Sequence, residues 1–219
     1  MRSSSLPYVV PFVSFLLFLA IEGKLALAPE VEYPFRVLIL SAILWFFSRP
    51  VIGLSVRNWL GSIAIGLLTF IIWIAPDLLV PTWHDSWLFR NSFTGSAPTP
   101  AEGYASLPLI AAIFRIVRAV ILVPIIEELF WRAWLMRWII KPDFASLPLG
   151  SYTPQSFWIT AALFAAEHGA YWDVGLAAGI IYNYWMIRTR SLGDCILAHA
   201  VTNGVLCAYV LATGKWQYW

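Results

Sequence analysis

Pro124-Ile-Ile-Glu-Glu-Leu-Phe-Trp-Arg132 sets two adjacent carboxylates and an arginine inside an otherwise apolar run, residues 119–140. A charged side chain at mid-bilayer costs at least about 2.5 kcal/mol on insertion scales, so ionisable groups at that depth point to a function. On a helix, Glu128 and Arg132 stand four residues apart on one face and can neutralise each other. Glu127 projects about 100° away from them and is left for chemistry. A structural ion-pair network explains the same residues equally well, and this stretch alone does not choose between the two.

Outward from it, the chain is apolar almost throughout. Of 219 residues, 60% are hydrophobic and only 12% charged, about half the charged share of a soluble domain. That composition excludes water-soluble folds. It predicts an all-α, polytopic transmembrane helix bundle of about seven spans (six to eight) around a polar intramembrane site, one integral membrane unit over residues 1–219. The apolar segments are residues 8–21, 35–47, 60–80, 107–140, 157–168, 174–187 and 193–212. Several are short against the roughly 20 residues a crossing needs, so flanking Trp, Tyr and Arg must complete them. The net charge of +2 is small and scattered, which argues against nucleic acid as a partner and leaves the lipid bilayer. Cys195 and Cys207 are twelve residues apart in one segment, about 18 Å on a continuous helix and out of disulfide reach.

Residues 107–140 exceed one simple span. Arg115 and Arg118 divide the run, which suggests a start near the interface with both arginines reaching toward headgroups, and a hydrophobic crossing that begins near Ala119. Pro124 lies one turn before the carboxylates, where it removes a backbone hydrogen bond and can bend or open the helix. On a seven-span reading, Arg2, Arg49, Arg57, Arg137, Lys141, Arg188 and Arg190 collect on one side. The positive-inside rule then places the N-terminus in the cytoplasm and the C-terminus outside. The N-terminus itself reads as a retained first span rather than a cleaved signal. Residues 81–106 form a long extramembrane loop with Pro, Gly, Ser and Thr punctuation.

Two of the three histidines fall in later apolar segments. Phe164-Ala-Ala-Glu-His168 puts Phe164 and His168 on one helical face, and His199-Ala-Val-Thr-Asn203 does the same for His199 and Asn203. A single histidine on an apolar helix is usually a packing residue. Two, joined by Glu127 and Asn203, favour a site. Depth agrees: Glu127 lies about 12 Å from the start of its crossing, His168 about 16 Å and His199 to Asn203 about 9 to 15 Å.

The ordered set Glu127-Glu128 with Arg132, Phe164 with His168, and His199 with Asn203 resembles the CPBP family of intramembrane proteases, which includes the type II CAAX prenyl endopeptidases and Abi-like bacterial proteins. Gly175, Gly179 and Thr189-Arg-Ser-Leu resemble that family's glycine-spaced segment leading to T-G-S-L, with Arg190 in place of the glycine. The resemblance covers residues 123–206, inside a catalytic core expected over 107–212. It implies a glutamate protease that hydrolyses a peptide bond in a membrane-associated or lipidated protein. Glu127 would be the general base, His168 would help hold the water, His199 and Asn203 would bind the oxyanion, and Arg132 would hold Glu128. Zinc is the rival: Glu127, His168 and His199 are a suitable donor set. No H-E-x-x-H pre-aligns two imidazoles, so hydrolysis without a cofactor is favoured. A non-proteolytic bacteriocin-immunity or assembly factor of the same fold is the alternative from another class. A transporter ranks last because no inverted repeat is visible. A prokaryotic inner membrane is the expected location.

Overall fold

The computed structural model describes residues 5–21, 24–25, 27–91 and 107–218. Arg2 and residues 92–106 of the expected extramembrane loop lie outside them. The described residues form helices and turns, and each of the seven apolar segments falls on a helix: α1 Leu6–Ala20, α2 Pro29–Ser48, α3 Trp59–Leu79, α4 Leu109–Trp138, α5 Pro154–Glu167, α6 Trp172–Thr189 and α7 Leu192–Thr213.

Four of these, α2, α3, α4 and α7, are long and apolar enough to cross a membrane. The span count of about seven is therefore met only in part. α1 has 15 residues and α5 has 14, short of the roughly 20 a crossing needs. Large apolar side chains such as Phe46, Leu60 and Leu79 face outward, as lipid-facing surfaces require.

The chain supplies its own helix starts. Pro29 and Pro154 occupy first positions, where a missing N–H costs nothing. Thr153 and Ser156 close a capping box on α5, and Asn58 caps α3. Asp194, fully buried, accepts from the backbone N–H groups of Arg57 and Asn58 at 2.7 and 2.8 Å and so ties the start of α7 to the start of α3. At the opposite end, His84 bridges Asp77 of α3 and Asp173 of α6, while Tyr218 donates to Asp77 at 2.6 Å. These ties bring together the turn before α3 and the turn before α7 at one end. They join the ends of α3 and α7 to the start of α6 at the other, so α3 and α7 run parallel and α6 runs against them.

α4 is the centre of the bundle, touching α1, α2, α5 and α7, and the α3–α7 and α5–α6 pairs pack most extensively around it. It runs as one continuous helix of 30 residues, about 45 Å, and is not divided at its arginines. Two π turns, Arg118–Leu122 and Leu129–Leu135, interrupt its α winding on either side of the carboxylates. The expected reach of Arg115 and Arg118 toward headgroups is corrected. Both are buried, and both pack over the Tyr33 ring, with Arg115 donating to Tyr33 Oη at 2.8 Å. Arg190 adopts the left-handed conformation at the end of α6 (φ 51°), so the turn exists without the glycine.

Candidate active site

α4 sends its two adjacent carboxylates to different partners, as the 100° step between them demands. Glu128 is fully buried, and its Oε1 accepts twice: from Arg132 Nη1 at 3.1 Å and from His199 Nδ1 at 2.9 Å. The expected Glu128–Arg132 pair is present, and it also anchors a histidine from α7. Arg132 is held further by Asn183 Oδ1 at 3.2 Å, and its guanidinium lies over the Phe164 ring at 4.3 Å and the Tyr182 ring at 5.4 Å. Aromatic faces stabilise a desolvated cation through their quadrupoles. Phe164 thereby becomes the floor under the ion pair.

Glu127 turns the other way, into a cavity of about 100 Å³ that it shares with His168, His199 and Asn203. Trp73, Phe164 and Tyr182 complete much of its wall. Glu127 is buried, yet its Oε2 makes no hydrogen bond to the protein. An unmet carboxylate oxygen away from water is costly, so this atom suits a molecule that enters the cavity.

The histidines are oriented by the groups behind them. His168 Nδ1 lies 2.7 Å from Phe164 O. A carbonyl only accepts, so Nδ1 carries the hydrogen and Nε2 of the neutral ring is an acceptor. His199 gives its Nδ1 hydrogen to Glu128 and stacks on Tyr182 at 5.1 Å. Asn203 Nδ2 donates to Ala119 O of α4 at 2.8 Å. Small residues permit the approach of α5 to α6: a Cβ at Gly175 would sit 3.1 Å from the His168 side chain, and one at Gly179 would meet Ala161 O at the same distance.

His168 and His199 each have one ring nitrogen left, and the described residues contain no group of three His, Cys, Asp or Glu placed to hold a metal ion. Cys195 and Cys207 are both free thiols.

The tertiary structure adds residues that the motifs do not contain. Trp73, Tyr182 and Asn183 support the site from α3 and α6, and no spacing rule links them to Glu127. Glu167 is different: it stands beside His168 in the chain, and its Oε2 is another buried oxygen without a protein hydrogen bond. An acid inside an apolar segment is itself a signal, so Glu167 was legible in the sequence.

No curated protein and no solved structure matches the chain. Residues 109–205 match the family model described as type II CAAX prenyl endopeptidase Rce1-like. That span contains Glu127, Glu128, Arg132, Phe164, His168, His199 and Asn203. Over residues 109–205, the region that builds the cavity, this protein is similar to the type II CAAX prenyl endopeptidase Rce1-like family.

Proposed function

We propose that the protein is an intramembrane endopeptidase that uses Glu127 to activate water against a peptide bond of a membrane-associated or lipidated protein, without a metal. One observation carries the reading: a buried carboxylate oxygen with no protein partner shares a cavity with two oriented imidazoles and an amide. Glu127 takes a proton from water while His168 Nε2 accepts the second water hydrogen. The hydroxide adds to the carbonyl carbon, the C–N bond breaks, and the proton held on Glu127 passes to the leaving nitrogen. Asn203 and His199 stabilise the oxyanion, His199 through Nε2 when its ring carries both protons and Glu128 accepts from Nδ1. All seven helices cross the membrane in this reading. The two shortest are accommodated by local thinning, with the N-terminus in the cytoplasm of a prokaryotic cell.

Terminal-peptide mapping of membrane proteomes tests this, comparing wild type with Glu127→Gln. New termini are expected with wild type alone, while the variant inserts and folds normally. Full cleavage by Glu127→Gln would remove Glu127 as the base. Absence of new termini with folded wild type would favour a binding role. Zinc content and chelator sensitivity of purified active protein separate the metal-free mechanism from its rival.

A further inference from the structure

The winding of α4 changes where it approaches the carboxylates. Through Arg118–Leu122 the helix is a π turn, and Val123 N–H bonds Arg118 O, five residues back. The next acceptor in that series is Ala119 O, whose donor would be residue 124. That residue is proline, which has no N–H. Ala119 O thus loses its helical donor inside the bundle, where an unmet carbonyl is costly. Its hydrogen bond comes from another helix, from Asn203 Nδ2 at 2.8 Å. The same bond settles how the amide is turned. The carbonyl must face the –NH₂ group, whose second hydrogen remains.

We propose that Pro124 is a positioning residue for Asn203. By withholding an N–H it releases the Ala119 carbonyl, which grips one hydrogen of the Asn203 amide and presents the other to the oxyanion. The role in turnover rests on the protease reading; the grip on Asn203 does not. A proline that merely bends the helix would affect packing without depending on what occupies position 203.

A double-mutant cycle separates these cases. Pro124→Ala supplies an N–H that competes for Ala119 O. Expected is a fall in kcat of about tenfold to a hundredfold, the scale of a displaced catalytic group, with KM nearly unchanged. In an Asn203→Ala background, adding Pro124→Ala lowers kcat no further. Losses that multiply would overturn the proposal. Unfolding in micelles gives a readout independent of turnover: Asn203→Ala destabilises the Pro124→Ala protein less than wild type, because the backbone then meets Ala119 O. Additive destabilisation would also overturn it. If wild type cleaves nothing, the protease reading fails, and the stability cycle still decides whether Pro124 frees Ala119 for Asn203. Pro124→Ser, which also brings an N–H, substitutes if Pro124→Ala does not fold.

Discussion

Replacing Arg132 by Met tests the ion pair at the heart of the site. Arg132 and Glu128 are both fully buried, with Nη1 and Oε1 3.1 Å apart. At an effective dielectric constant of about 20, charges at that distance attract by roughly 5 kcal/mol. Most of this is spent on desolvation, so the pair contributes little net stability, whereas removing one partner strands the other. Arg132→Met leaves Glu128 with His199 as its sole hydrogen-bond donor and should destabilise the fold by about 3 to 5 kcal/mol. Adding Glu128→Gln removes the stranded charge while leaving His199 an acceptor. The double variant should therefore recover much of the loss and fall within about 2 kcal/mol of wild type. The assay is reversible unfolding in mixed micelles, with helicity as the signal. Arg132→Met as stable as wild type, or a double variant less stable than Arg132→Met, would refute the argument. The double variant should remain poorly active even when stable, because an amide oxygen holds the Nδ1 hydrogen of His199 less strongly than a carboxylate does.

Two further predictions concern the ends of the bundle. Arg190→Gly should raise stability by about 1 kcal/mol, because a non-glycine residue in the left-handed region carries roughly that penalty; thermal unfolding checks it, and a loss would show that the Arg190 side chain contributes more than the backbone strain removes. His84 lies outside the membrane-spanning helices. Burial opposes its charge, but hydrogen bonds to Asp173 and Asp77 outweigh burial and raise its pKa above 6.5. This anchor therefore contributes fully below about pH 6.5 and weakens as pH rises through the raised value. Hydrogen exchange at the Trp83–Asp85 turn, corrected for intrinsic rate, should accelerate over that range, and His84→Gln should abolish the dependence. A flat profile in wild type would refute it.

Local chemistry made much of this protein legible. Composition gave an all-α membrane protein, and apolar runs located all seven helices, because burial in lipid leaves helices as the structure that satisfies each segment's own backbone. Four-residue spacing gave the Glu128–Arg132 pair and put Phe164 with His168 and His199 with Asn203, because residues one turn apart share a face. The same rules misplaced Arg115 and Arg118. Their partner, Tyr33, lies 82 residues from Arg115 in the chain, and no periodicity on α4 announces it. Seven apolar runs likewise did not establish seven crossings, since α1 and α5 are shorter than a bilayer core.

The sequence by itself determined which ionisable and polar residues lie in apolar segments and which of them share a helix, since both follow from residue type and from a fixed rise and turn. Only the tertiary structure decided that Glu127, His168, His199 and Asn203 line one cavity. It alone showed that Glu128 serves His199 as well as Arg132, and that Asn203 donates to the Ala119 carbonyl of α4. Those are contacts between helices distant in sequence, fixed by how faces pack across the whole bundle, and no local rule contains them.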